Sequence, residues 1–203
     1  MIRAIIFDLG GVILTHKVEV TIKILAEVFK IDESETLDLF KELEDDWVKG
    51  KISAKYLAGI FKKKFKSKRP LSNVIKYWVK LYEERTELNR ELMAIIDELR
   101  KKYKIYLMTN TTDIHHKLNS TRGIFEHFDK VFASFIVGKR KPDDDFYKHL
   151  LDQIKLKPRE CIFVDDRKEN LDAPKQLGMK TVLFKNNKNL IKDLEKFGSL
   201  ITF

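Results

Sequence analysis

Residues 1–11 read MIRAIIFDLGG, and the architecture of the chain can be worked out from this stretch. Four consecutive apolar residues, Ala4–Phe7, are typical of a short β-strand that is buried on both faces. Asp8 follows the apolar run directly, and Gly10 and Gly11 come just after it. The pattern predicts a buried strand that ends in a polar loop.

Further short apolar runs with the same character follow along the chain. They are Ile105–Met108, Val131–Phe135, Ile162–Val164 and Thr181–Phe184. Between the runs lie segments with the apolar spacing of amphipathic helices, namely Asn89–Lys102, Phe146–Ile154 and Asn170–Leu177, the last followed by Gly178 as a candidate C-terminal cap. Strands that alternate with helices of this length predict an α/β fold, a parallel sheet with helices on both faces.

The long interval between the first two predicted strands contains no strand-like run. Four segments in it have helical periodicity: Val18–Phe29, Ser34–Trp47, Ser53–Phe65 and Leu71–Glu83. Ser34 and Ser53 are candidate N-caps. We therefore predict an all-helical domain, residues 15–88, inserted after the first strand of an α/β core formed by residues 1–14 and 89–203.

Composition excludes several classes of protein. The 203 residues are 43% hydrophobic and 35% charged, which allows a real core and excludes a largely disordered chain. No apolar run is long enough to span a membrane, and the run near Met1 is too short for a signal peptide. Cys161 is the only cysteine, so no intrachain disulfide is expected and it fits a buried packing residue. We expect a soluble, cytoplasmic protein without a membrane partner.

The net charge of +9 favours anionic partners such as phosphorylated metabolites or nucleic acid. Residues 61–70, FKKKFKSKRP, are the most basic run, and Phe61 and Phe65 stand four residues apart in it. This spacing is typical of a helix with one buried side and solvated lysines. No nucleic-acid-binding motif accompanies the run, so we do not expect nucleic-acid binding. The sequence does not distinguish a monomer from a homodimer.

Chemically related side chains follow the predicted strands. Ligands of open parallel sheets bind at the carboxyl ends of the strands. The polar residues at or near those ends are Asp8, Thr109, Asn110, Lys141, Asp165 and Asp166. Clustered carboxylates repel, so a hard cation such as Mg²⁺ is their expected neutraliser. A carboxylate nucleophile, a divalent cation, a lysine and a hydroxyl are also what phosphoryl transfer requires.

Four short motifs occur in a fixed order: FDLGGVI at 7–13, LMTN at 107–110, GKRKPDDDFY at 138–147 and FVDDRKEN at 163–170. In this order they resemble the haloacid dehalogenase (HAD) superfamily of hydrolases, and the resemblance extends to GMKTVLF at 178–184. It implies a Rossmann-like core with a helical C1-type cap, and a Mg²⁺-dependent phosphatase that acts on a small phosphorylated metabolite. The D-L-G start is similar to the branch that includes glucose-1-phosphatase-like enzymes.

The resemblance also implies a role for each motif residue. Asp8 would be the nucleophile, Thr109 and Asn110 would bind phosphate, and Lys141 would stabilise both nucleophile and phosphate. The Mg²⁺ ligands would be Asp8, the backbone carbonyl of Gly10 and Asp166, with Asp165 near the metal and Asn170 in support.

One position departs from the family pattern. Most phosphatases of the family carry an aspartate two residues after the nucleophile as general acid and base, and here that residue is Gly10. A general acid contributes about 10²–10⁴-fold, so leaving groups that need a proton should react poorly. His16, just after the first strand, is the first candidate for supplying a proton.

Two other functions stay open at this point. A 2-haloacid dehalogenase would use the same aspartate on carbon, but that branch works without a metal and lacks the paired aspartates. A non-catalytic binding protein of the same fold would explain the missing acid as lost activity. Trp47 and Trp78 lie on predicted helices of the insert, where they fit core packing or a substrate wall.

Overall fold

The computed structural model describes residues 1–15 and 18–198. Its strands are β1 (Ala4–Phe7), β2 (Lys104–Thr109), β3 (Lys130–Ala133), β4 (Cys161–Asp165) and β5 (Lys180–Leu183). They form one parallel sheet in the order β3-β2-β1-β4-β5. The apolar run Ala4–Phe7 therefore forms the central strand β1, and the predicted α/β fold is confirmed.

Helices cover both faces of the sheet. The described helices outside the insert are α5 (Arg90–Arg100), α6 (Asp113–Thr121), α7 (Ser134–Val137), α8 (Asp144–Ile154), α9 (Glu169–Gln176) and α10 (Asn187–Lys196). Residues of β1 alternate between two cores, with Ile5 and Phe7 packed on the side of α5 and α10. Ala4 and Ile6 pack on the opposite side with α8 and α9. This alternation follows from the two-residue period of a strand, and it explains why the whole run is apolar.

The interval between β1 and α5 folds as helices α1 (Val18–Phe29), α2 (Glu33–Val48), α3 (Ala54–Lys64) and α4 (Leu71–Arg85). These helices share an apolar core of their own, which contains Trp47, Trp78 and Phe61. Two residues of α6, Ile114 and Leu118, pack against that core from the sheet side. The helical character of the segment is as predicted, and its division from the core at residues 15–88 stays a prediction.

Several local predictions can be checked directly. Ser53 caps α3, since the backbone N–H of Tyr56 donates to its Oγ at 3.2 Å. The Ser34 cap is wrong, because α2 begins at Glu33 and Asp32 is the capping residue. Glu33 and Glu35 lie in the first turn, where their carboxylates stabilise the helix by interacting with the positive end of its dipole. Gly178 follows α9 with a φ of 94°, as expected of a C-terminal glycine.

The third strand is shorter than predicted, because Ser134 and Phe135 begin α7 rather than extend β3. Ser134 is fully buried, and its hydroxyl lies 2.8 Å from the Val48 carbonyl oxygen and 2.9 Å from that of Thr111. These contacts tie the chain to α2 and to the loop after β2. Cys161 is buried in the sheet, as predicted. Within the described residues, no helix is long and apolar enough to cross a membrane.

Candidate active site

The carboxyl ends of the two central strands bring three carboxylates together. Phe7 and Val164 are register partners, so the next residues, Asp8 and Asp165, become neighbours. Oxygen atoms of Asp8, Asp165 and Asp166 all lie within 4.8 Å of one another. The aspartates expected at the strand ends therefore form a single cluster.

Lys141 bridges two of these carboxylates. Its Nζ lies 2.7 Å from Asp8 Oδ1 and 2.6 Å from Asp165 Oδ2, and the residue is only 2% exposed. Burial lowers the pKa of Lys141, but the charges of Asp165 and Asp8 outweigh it and raise the pKa above its usual value. The lysine is therefore charged at neutral pH and supplies one fixed positive charge.

The ionisation of Asp8 is strongly affected by its surroundings. Burial raises the pKa of Asp8 to about 7, and the charge of Asp165 adds to the increase while Lys141 opposes it. Two carboxylates share one lysine here, and Asp166 stands beside them, so negative charge is in excess. A divalent cation would favour the ionised form of Asp8 and neutralise that excess, and the oxygen donors suit Mg²⁺. The residues present therefore fit the expected cation.

Asp165 is held rigidly. Asn170 Nδ2 donates to both of its carboxylate oxygens at 3.0 and 3.1 Å, and the Arg167 N–H donates to Oδ1 at 2.9 Å. Tyr147 in turn donates its hydroxyl to the Asn170 carbonyl at 2.7 Å. With Lys141 on the other oxygen, Asp165 is fully buried and surrounded by donors. It fits a role in fixing Lys141 and Asn170 better than a direct contact with a ligand in the cavity.

Asp166 is the partly exposed member of the cluster and faces the cavity beside Gly10. Gly11 lies directly against its carboxylate, because a Cβ atom at residue 11 would stand 2.2 Å from Asp166 Oδ2. Gly11 also has a φ of 79°, which side chains rarely adopt. The second glycine of the DLGG motif is thus required by both backbone conformation and space.

Asn110 positions the loop that carries the lysine. Its Nδ2 donates to the Lys141 carbonyl at 2.8 Å, and its Oδ1 accepts from the Lys141 N–H at 2.8 Å. Thr109 is buried at the end of β2, where its hydroxyl donates to the Asn110 carbonyl at 3.4 Å. Asn110, Thr111 and Thr112 line the cavity, whereas Thr109, which was expected to bind phosphate, is not one of its lining residues. The polar run NTT after β2 was the available signal for Thr111 and Thr112, which sequence reasoning missed.

A cavity of about 410 Å³ opens over the cluster. One side is formed by Asp8, Gly10, Lys141 and Asp166, and the other by the helical segment. The second side consists of Val18, Glu19, Thr21, Phe40, Glu44, Trp47 and Val48. Sequence periodicity gave no sign that Phe40 and Glu44 face the site.

The two tryptophans, which the sequence left open between core and wall, differ in position. Trp47 is buried in the helical core and also lines the cavity, whereas Trp78 is fully buried, 5.4 Å from Trp47 between ring centroids. His115 lines the cavity too and stacks on Tyr82 at 4.4 Å. His116 packs instead against Phe125, so the two adjacent histidines of α6 face different sides of the helix. His16 lies outside the described residues.

Comparison with known proteins gives the family. A family model described as haloacid dehalogenase-like hydrolase matches residues 2–178. The chain belongs to this family. A sesquiterpene phosphatase from Aspergillus oryzae is 32% identical over 187 residues, 87% of each chain. A D-ribitol-5-phosphate phosphatase from Bacteroides thetaiotaomicron is 27% identical over 198 residues, covering 89% of this chain and 91% of the relative.

Solved structures confirm the fold of the HAD-like hydrolase. A HAD family enzyme from Bacteroides thetaiotaomicron, crystallised with magnesium and inorganic phosphate, superposes with a TM-score of 0.77. It is 23% identical and covers 92% of this chain and 96% of its own. Several further sequence relatives are matched over less than half of their length. The predicted membership of the superfamily is confirmed, and the C1 type of the helical segment stays a prediction.

Proposed function

We propose that this HAD-like hydrolase is a Mg²⁺-dependent phosphatase that cleaves a small phosphorylated metabolite through an aspartyl-phosphate on Asp8. The observation that carries the proposal is the buried contact of Lys141 with Asp8 and Asp165, next to Asp166 at the floor of the cavity. Such a cluster combines a nucleophile with charge stabilisation by a buried lysine. Relatives that span most of the chain are themselves named phosphatases.

The reaction would begin with attack of an Asp8 carboxylate oxygen on phosphorus, which breaks the bond to the leaving-group oxygen. Lys141 holds Asp8 in place and meets negative charge on the phosphoryl oxygens. Asn110, Thr111 and Thr112 line the cavity and would contact the phosphate, and the buried Thr109 comes just before them at the end of β2. Water then hydrolyses the aspartyl-phosphate and regenerates Asp8.

Asp8, Asp166 and the carbonyl oxygen of Gly10 would hold Mg²⁺, with Asp165 close to it. When bound, the ion neutralises phosphate charge and keeps the phosphoryl group in line with the nucleophile. Asn170 supports this arrangement through its two bonds to Asp165.

The helical segment, residues 15–88, would act as a cap that closes the cavity over the substrate. It supplies Phe40, Glu44 and Trp47 to the wall opposite the carboxylates. The leaving group therefore contacts the helical segment, while the phosphate contacts the loops at the strand ends. In this arrangement the residues at the sheet edge carry out the reaction, and the helices select the substrate.

Two parallel assays separate this function from its competitors. Purified protein is incubated with p-nitrophenyl phosphate over a Mg²⁺ titration, with and without EDTA, and in parallel with 2-chloropropionate. We expect phosphate release that saturates with Mg²⁺ and is abolished by EDTA. Metal-independent chloride release would instead identify a dehalogenase, and inactivity in both assays would identify a non-catalytic protein.

A further inference from the structure

The ammonium group of Lys141 has a third neighbour besides its two carboxylates. Lys141 Nζ stands over the ring of Phe163, 5.5 Å from the ring centroid. Phe163 lies in β4, two residues before Asp165, and is fully buried on the side of the sheet that α8 and α9 cover. The proposed reaction assigns no role to this aromatic ring.

Burial distinguishes this contact from the other contacts between a cation and a ring in the part of the chain that the structure describes. Lys141 and Phe163 are both buried. The cations of the other contacts are exposed or half-buried, namely Arg69, Lys102, Lys130 and Lys180. A ring face attracts a cation more strongly once water is removed from both groups. The contact between Lys141 and Phe163 should therefore be the strongest of them.

The neighbours of Phe163 fix the orientation of its ring. Tyr147 packs edge to face against it, with ring centroids 5.3 Å apart and an interplanar angle of 85°. The backbone of Phe163 is held in the sheet, where its register partners are Ile6 in β1 and Thr181 in β5. Turning the ring edge toward Lys141 would require Tyr147 to move. The face of the ring is therefore held toward the ammonium group.

We propose that the ring face of Phe163 holds the Lys141 ammonium group in position during the reaction, which makes Phe163 a positioning residue of the active site. The inference rests on the proposed phosphatase function. The negative face of the ring attracts the ammonium group, but it adds no charged oxygen to a site that already contains three carboxylates. A fourth carboxylate below the lysine would repel the substrate phosphate, whereas an uncharged ring repels it far less.

The ring matters most while Asp8 carries the phosphoryl group. When an oxygen of Asp8 bonds to phosphorus, the carboxylate becomes an acyl phosphate and loses its own negative charge. Its attraction for Lys141 then falls, while Asp165, 2.6 Å from Nζ, keeps its full charge. Phe163 is not changed by the reaction and attracts the ammonium group equally in every step. It therefore limits the displacement of Lys141 away from the phosphoryl oxygens.

The test replaces Phe163 by phenylalanines that carry one, two or three fluorine atoms on the ring. Fluorine withdraws negative charge from the ring face and changes the shape of the side chain little, so it weakens the attraction for a cation in steps. The measurements are Tm and, with Mg²⁺ and p-nitrophenyl phosphate, kcat and KM. We expect Tm to fall with each fluorine, and kcat to fall by about tenfold over the series while KM changes little. Unchanged kcat across the series, or a change confined to KM, overturns the positioning role.

The same fluorinated series at Phe132 is the matched control. Phe132 is 2% exposed, belongs to the same core as Phe163, and lies under a cation as well, with Lys130 Nζ 5.1 Å from its ring centroid. Because Lys130 is exposed, the series at Phe132 should lower Tm less and should leave kcat unchanged. Equal losses of Tm and kcat at both positions would show that fluorine disturbs the packing of the core, and would overturn the inference.

Phe163→Leu gives a second comparison with ordinary residues. It keeps an apolar side chain but removes the ring, so kcat should fall at least as far as in the trifluorinated protein, whereas Phe132→Leu should retain the native kcat. If Phe163→Leu does not fold, the fluorinated proteins decide the question. Absence of turnover in the native protein would refute the proposed phosphatase, and the Tm series would still test the contact between the lysine and the ring, since it does not depend on turnover.

Discussion

The floor and the wall of the cavity are built in different ways. The floor consists of Asp8, Lys141, Asp165 and Asp166, which stand at strand ends or in the loop beside them. Lys141 is linked to Asp8 and Asp165 by ion pairs of 2.7 and 2.6 Å. The wall consists of helix side chains such as Glu44 and Trp47, which reach the cavity from a segment with its own apolar core. Sheet register fixes the floor, whereas packing between helices fixes the wall.

This difference has a functional consequence. Substitutions of floor residues should lower the rate of phosphate release for all substrates alike, because every phosphate ester reacts at Asp8. Changes in the wall should alter affinity or substrate choice and leave the reaction itself in place. The following variants are arranged to test that separation.

The largest effect is expected for Asp8→Asn. The amide is nearly the same size as the carboxylate but is a very poor nucleophile, so turnover should fall on the order of 10⁶-fold, as for other lost nucleophiles. Phosphate release from p-nitrophenyl phosphate measures the loss, and circular dichroism shows that the fold is retained. Substantial residual activity in a clean preparation would remove Asp8 from the nucleophile role.

Lys141→Ala should follow, with kcat reduced about 10²–10³-fold because a buried charge near the phosphoryl oxygens is lost. Stability should fall by about 3–5 kcal/mol, since Asp8 and Asp165 lose their shared partner. Steady-state kinetics and urea denaturation measure the two effects. Lys139→Ala is the control, a lysine of the same loop whose Nζ donates to the Asp145 carbonyl at 3.4 Å. Near-normal kinetics in Lys141→Ala would mean that another basic residue occupies the site.

The sequence was more informative about the floor than about the wall, for a physical reason. Continuous apolar runs identify buried parallel strands, and the residue that follows each run must lie at the carboxyl edge of the sheet. Asp8, Thr109 and Asp165 could therefore be placed together from the sequence. Lys141 was placed there by its motif, and the structure puts it in contact with Asp8.

The wall could not be placed in the same way. Helical periodicity shows which side of α2 is apolar, but it does not show which neighbour that side meets. Trp47 belongs to the helical core and also lines the cavity, so packing is confirmed for it and contact with a substrate stays a prediction. Asp113 was not singled out at all, since a single acid at a helix start has many structural explanations.

Asp113→Ala tests how firmly the wall is held. Its carboxylate accepts from Trp47 Nε1 at 3.1 Å and from the Ala54 N–H at 3.0 and 3.1 Å, which joins α6 to α2 and α3. Loss of these charged hydrogen bonds should destabilise the fold by about 1–3 kcal/mol and raise KM more than it lowers kcat. Urea denaturation followed by tryptophan fluorescence and steady-state kinetics measure the two effects.

Asp193→Ala is the matched control for that variant, because Asp193 lies in α10, far along the chain from the cavity residues, and pairs there with Lys196. It should leave KM unchanged. A fall in kcat for Asp113→Ala with no change in KM would contradict the separation of wall and floor.

The smallest effect is expected for Gly10→Asp, which places a carboxyl group where most phosphatases of the family carry their general acid. Gly10 lines the cavity and is not among the glycines with positive φ in the described residues, whereas Gly11 has a φ of 79°. In the native protein, activity should fall steeply as the leaving-group pKa rises, because no side chain at residue 10 donates a proton. The introduced acid should flatten that dependence by improving alkyl esters about tenfold, less than the full contribution of a preorganised acid.

The measurement is log kcat/KM against leaving-group pKa for a series of aryl and alkyl phosphates, in the native protein and in the variant. Gly11→Asp serves as the contrasting substitution, since its Cβ would stand 2.2 Å from Asp166 and should disrupt the site instead of assisting it. A flat dependence in the native protein, with the chemical step rate-limiting, would show that a group other than residue 10 already supplies the proton. The donor would then have to be sought among the titratable side chains of the wall, and the separation between a reacting floor and a selecting wall would not hold.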